Sequence, residues 1–214
     1  MVCPRAARPS RRGFWASAPL SFASFASFAF AAAATAAMMM IGGDARAEEA
    51  SVPIGLEVQL LAKVASYDKH LPERAGERVE VLIVTMPGNA DSTRAAAQMQ
   101  SALAGIAQID DRPHDDVVLS FAGGPALADA CKKRRASIVL FTPGFAEQLD
   151  AIRTALDSVD VLSVSSVASY VPKGIVLGFD LVSGKPKLLV NLTQAKKQKV
   201  QLSAEVLKLM KVYE

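Results

Sequence analysis

The densest set of groups able to do chemistry is Asp110-Asp111-Arg112-Pro113-His114-Asp115-Asp116. Carboxylates beside an imidazole are donors that could hold a divalent ion. The run meets no ligand-spacing rule of a known site, and Asp pairs bond their own backbone in turns. It reads as a solvated loop entering a strand, with no metal assigned. A second candidate is Gly123-Gly124, which falls between a predicted strand and a predicted helix. Glycine there lets backbone N–H groups approach an anion at the helix start, although a tight turn before a Pro-started helix explains the pair equally well. Thr142-Pro143-Gly144 follows the next predicted strand. Ligands of parallel sheets sit beyond the strand ends, so Gly123, Gly124, Thr142 and Gly144 are the candidate walls of a crevice.

Other reactive side chains stand alone. Cys131 sits in an Ala-rich helix and reads as packing. Lys132-Lys133-Arg134-Arg135 closes that helix, where positive charge complements the dipole, and His70 has the same explanation near another helix end. The serines of Ser163-Val164-Ser165-Ser166 lack a nucleophile-elbow glycine frame. No catalytic set can be assembled and no cofactor motif is present, so an enzyme is not expected.

The first 47 residues read as a sorting address. Ser10-Arg11-Arg12-Gly13-Phe14 places paired arginines before an aromatic, and an uncharged run of Ala, Phe, Ser and Met extends from Leu20 to Ile41. Ala45 and Ala47 then occupy the two positions a signal peptidase reads. The Arg11-Arg12-x-Phe14 spelling matches the twin-arginine route. A retained membrane anchor is the alternative, since the apolar run is long enough to span. Before Glu48 the chain holds Arg5, Arg8, Arg11, Arg12 and Arg46 against Asp44 alone. Taking five from 24 basic residues and one from 21 acidic ones leaves 19 and 20, a net charge near −1. The apparent basicity therefore belongs to the leader, and a nucleic-acid partner loses its footprint. Cys3 leaves with the leader as well, so Cys131 has no intramolecular partner.

Residues 48–214 are the right size for one domain. Leu56, Leu60, Val64, Tyr67 and Leu71 recur at helical spacing, with Pro72 as the stop. Residues 79–85 make a buried strand, and Asp91 or Ser92 caps a helix carrying Ala95, Met99, Ala102 and Ile106. Strands at 117–121, 137–141 and 161–164 then alternate with helices at 125–135 and 145–156. That alternation implies parallel crossovers and a sheet covered on both faces. The ending departs from it: 175–181 and 187–191 form an antiparallel hairpin, followed by a short helix from Thr193. Ser203 caps a final helix that packs Val206, Leu207 and Met210 inward. The expected fold is a three-layer α/β/α domain with a mixed, mostly parallel sheet and a C-terminal hairpin plus helix.

Tyr170-Val171-Pro172-Lys173-Gly174-Ile175-Val176 leads into Phe179-Asp180-Leu181 and then Leu188-Leu189-Val190-Asn191-Leu192. Ala195-Lys196, Val200-Gln201-Leu202-Ser203, Val206-Leu207-Lys208-Leu209 and Lys211-Val212 complete the pattern. It resembles the C-terminal signature of the YfiR-like family of exported proteins. The resemblance implies a periplasmic α/β protein, usually a homodimer, without catalysis. It also implies a membrane signalling protein as partner, because the best-studied members restrain a diguanylate cyclase in cyclic-di-GMP signalling by binding its periplasmic portion. An exported, non-enzymatic regulator working by protein contact is thus the expected function. The alternative is a periplasmic small-solute-binding domain that uses the crevice beside Gly123 and Thr142.

Overall fold

Val79–Thr85 is apolar on both sides of its alternation, and it forms β1, a strand buried on both faces. The structure is a computed structural model that describes residues 51–214. The export residues Arg11, Arg12, Phe14, Ala45 and Ala47 lie outside the described residues. Helices α1 (Ile54–Ala65) and α2 (Leu71–Ala75) precede β1. After it come α3 (Ala90–Ala104), β2 (His114–Ser120), α4 (Gly124–Arg134), β3 (Ile138–Phe141), α5 (Leu149–Leu156) and β4 (Leu162–Ser165). A 3-10 turn (Ala168–Lys173) then leads to β5 (Leu177–Val182), β6 (Lys185–Asn191), α6 (Leu192–Lys197), α7 (Ala204–Leu207) and β7 (Met210–Tyr213).

The seven strands make one sheet in the order β2-β1-β3-β4-β5-β6-β7. Strands β1 to β5 run parallel. Strand β6 is antiparallel to β5, and β7 lies parallel to β6. Alternate residues of β1 feed two cores. Val81 and Ile83 join Leu61, Met99 and Leu103 on one face, and Leu82 and Val84 join Leu127, Ile152 and Leu156 on the other. This is the three-layer α/β arrangement with a mixed, mostly parallel sheet.

Several local expectations change. Helix α1 stops at Ala65, and Pro72 starts α2 within its first turn, where a missing N–H costs nothing. The buried stripe of α1 is Glu57, Val58, Leu61, Val64 and Ala65. It is rotated from the predicted one, which leaves Tyr67 exposed. The cap of α3 is Asn89, whose side chain accepts the Ser92 N–H at 2.9 Å. The final helix is a single turn that buries Val206, and Leu207 is only half-buried. Met210 belongs instead to β7, paired in register with Leu188. A short apolar run has no intrinsic period, and the open edge of β6 supplied backbone partners that outcompeted another helical turn.

Candidate functional site

The sheet order changes direction between β1 and β3, the place where an α/β sheet ordinarily leaves a crevice. Here the chain fills that place itself. Thr142 Oγ1 donates to the Val84 carbonyl at 2.9 Å and lies 2.6 Å from Ser92 Oγ. The Thr142 proton is thereby committed, so Ser92 donates to Thr142 and accepts the Met86 N–H at 2.7 Å. Gly144 has φ +106, and a Cβ there would lie 2.7 Å from the Asn89 amide. Its N–H and that of Phe145, the two donors that could face an anion, both go to the Tyr170 hydroxyl, at 3.1 and 2.9 Å. Gly124 serves packing: a Cβ would meet the Ala151 carbonyl at 2.8 Å, so glycine lets α4 press against α5. Gly123 caps α4 with φ +103 and open space beside it. The four residues are thus separated by packed contacts, and none of them lines either of the two large clefts.

Most of the remaining candidates are engaged in structure. Asp110 pairs with Arg112 in the turn before β2, Asp115 with Arg78 at 2.7 Å, and Asp116 accepts from the Gln100 amide. Ser163 Oγ accepts the Val176 N–H, Ser165 Oγ accepts the Val167 N–H, and His70 Nδ1 lies 2.8 Å from the Lys199 carbonyl. Burial pushes the Cys131 thiol up to about 11, so it stays protonated at neutral pH and packs as an apolar group. Cys131 borders a cleft of about 390 Å³ with Arg74, Lys132, Arg135 and Asp160. Arg74 is spent there on a buried network. It donates to Asp68 at 2.9 Å and Asp160 at 2.7 Å, while Asp68 also accepts the N–H groups of His70 and Gln201.

A larger cleft, about 440 Å³, lies between the start of α1, the loop after β4 and strand β5. Strand β5 pairs with β4 only at Leu177 and Gly178, so its outer half runs past the end of β4. Phe179 and Leu181 from that half line it together with Val52 and Ile54 of the first segment and Val167 and Pro172 of the loop and turn after β4. Two polar groups interrupt this apolar wall without partners among the described residues. Glu57 is only 3% exposed, and no hydrogen bond to a described residue offsets the loss of hydration at its carboxyl. Ser166 Oγ is likewise buried and unpaired. Loss of hydration pushes the Glu57 carboxyl up to about 8. Its place in the first turn of α1 favours the anion, but that effect is worth about 0.3–1 kcal/mol and desolvation exceeds it. Such a cleft is concave and mostly apolar with a few polar groups, the character of a binding site.

The family model described as YfiR/HmsC-like matches residues 55–211, nearly all of the described fold. The chain belongs to the YfiR/HmsC-like family. The match places it in a family of periplasmic regulatory domains. No curated protein matches the chain. Among solved structures, a conserved domain protein from Vibrio cholerae is similar with TM-score 0.55 at 13% identity, over 76% of this chain and 60% of that one. The ABC domain in complex with L-Trp from Streptococcus pneumoniae is similar with TM-score 0.54 at 9% identity, over 76% of this chain and 62% of its own. The chain therefore spans about three-fifths of the length of these relatives, and the likeness is one of fold. The family's signature residues do structural work here. Asn191 caps α6 through the Gln194 N–H and donates to the Val171 carbonyl, tying the hairpin to the 3-10 turn.

Sequence reasoning missed Glu57 and weighed Ser166 only as a nucleophile. A signal for Glu57 existed: it stands four residues before Leu61 and one before Val58, on the stripe that packs inward. A carboxylate on an apolar stripe is the kind of buried polar residue that carries information.

Proposed function

We propose that this YfiR/HmsC-like chain is an exported, non-enzymatic regulator that acts in the periplasm by protein contact. Its partner would be the extracytoplasmic portion of a membrane signalling protein, a diguanylate cyclase being the example the family suggests. Family membership over residues 55–211 carries the reading. Two features of the fold support it. The groups that could do chemistry at the strand ends are bonded to one another, as at Thr142, Ser92 and Tyr170. In addition, among the described residues three of the five large exposed apolar side chains lie late in the chain: Val182 on the hairpin, Leu209 just before the edge strand β7, and Val212 on it. An edge strand offers unpaired backbone groups to an incoming strand, and the apolar side chains beside it add burial.

Calorimetry of the exported chain with the extracytoplasmic segment of a membrane protein encoded beside it is the test. The reading expects stoichiometric binding with modest salt dependence, because the charge after export is nearly balanced and contact would rest on apolar burial. It also expects Val212→Lys to weaken binding at unchanged stability. Absence of binding to every neighbouring membrane segment would overturn it. The solute-binding alternative moves from the crevice beside Gly123 and Thr142 to the cleft beside Glu57.

A further inference from the structure

We propose that the cleft between α1, the loop after β4 and β5 is a binding site for a small primary ammonium compound with an apolar body, held by Glu57 and Ser166. The inference rests on the cleft and is independent of the protein-contact reading above; it would give the domain a small-molecule input. A carboxyl on a residue only 3% exposed, without a partner among the described residues, on a helix face otherwise made of Val58, Leu61, Val64 and Ala65, is destabilising unless something uses it. It lines a concave space rather than sealed core, and Ser166, whose hydroxyl is buried and unpaired, is part of the same lining. Both groups can accept hydrogen bonds, and an ammonium is all donor.

The sign of the ligand follows from the other walls. Among the described residues Asp180 is the second charged residue of the lining, and no Lys, Arg or His joins it. An anionic ligand would meet two carboxyl groups and no cation. A neutral apolar ligand would leave Glu57 and Ser166 unsatisfied. A cation with an apolar body satisfies both acceptors and covers Phe179, Leu181 and Pro172. About 440 Å³ suits a small ligand, at the lower end of the usual range for such sites. The charge balance is explicit. Glu57 enters protonated, the ligand enters as the ammonium, and the complex holds carboxylate against ammonium, so one proton leaves to solvent. The first turn of α1 favours the carboxylate that forms.

The test is isothermal calorimetry of the full exported chain with phenethylamine, beside 3-phenylpropionate and N-acetylphenethylamine as anionic and uncharged controls. Phenethylamine should bind at one site, with affinity rising about tenfold per pH unit from pH 6 until it levels near the Glu57 value of about 8. The heat should vary with buffer ionisation enthalpy as one released proton requires, and both controls should fail to bind. Glu57→Gln should abolish binding at every pH, and Ser166→Ala should weaken it, with cooperative unfolding retained in both variants. Equal binding by wild type and Glu57→Gln, or no binding by wild type, overturns the proposal. Binding that appears only after the chain's own α-amino group is acetylated also overturns it, because the occupant is then the chain's N-terminus.

Discussion

Glu57→Gln should stabilise the folded chain at neutral and alkaline pH, because the buried carboxyl resists ionising. The carboxyl titrates near 8 in the folded chain against an ordinary value of 4.5. Below pH 4.5 both folded and unfolded states are protonated, and the residue carries no charge penalty. As pH rises from 4.5 to 8 the unfolded chain releases the proton while the folded chain keeps it, so stability falls by about 1.4 kcal/mol per pH unit. The loss levels off above pH 8 at on the order of 5 kcal/mol, a large share of the 5–15 kcal/mol that typically holds a domain together. Glutamine keeps the shape and cannot ionise. The variant should match wild type at pH 4.5, exceed it by roughly 3 kcal/mol at pH 7, and exceed it by on the order of 5 kcal/mol at pH 9. Guanidinium unfolding of both proteins at those three pH values measures the difference directly through the midpoints. A difference that does not change with pH would show that the folded state does not retain the Glu57 proton, and the description of the cleft as a desolvated acceptor site would be wrong.

Asp68→Ala should cost about 3–5 kcal/mol, because it strips a fully buried acceptor from Arg74, whose side chain is 3% exposed, and from two backbone N–H groups; a thermal midpoint within error of wild type contradicts this. Tyr170→Phe should cost about 1–3 kcal/mol by leaving the Gly144 and Phe145 N–H groups without their acceptor, and faster amide exchange at those two positions should accompany the loss. Replacing Arg11 and Arg12 by Lys should hold precursor in the cytoplasm, since an ammonium does not reproduce paired guanidinium groups; cell fractionation reads the outcome, and undiminished export excludes the twin-arginine route.

Much of the architecture was legible because its causes are local. A β-branched apolar run such as Val79–Thr85 is suited to an inner strand wherever it lies. The regular spacing of strands and helices from Val79 to Ser165 leaves parallel crossovers as the economical topology. The hairpin from Leu177 to Asn191 announced itself through its turn residues. The C-terminal signature marked the family because its glycine and Asn191 answer to nearby backbone geometry.

What only the tertiary structure decided concerns who meets whom. Met210–Tyr213 became strand because β6, distant in neither sequence nor space, presented an open edge, a fact absent from the residues themselves. The glycines after β2 and β3 had the right types for an anion crevice, yet the Tyr170 hydroxyl arrives from a later turn to take the Gly144 and Phe145 donors. Asp68 and Arg74 look like ordinary surface charges until Gln201 and Asp160 close around them. Glu57 is the clearest case. Helical spacing set it beside Val58 and Leu61, but its exposure depends on how α1 is rotated against the sheet and on how far β5 runs past β4. Patterns of period 2 and 3.6 encode which face turns inward; burial of one carboxyl depends on long-range packing, which no local pattern contains.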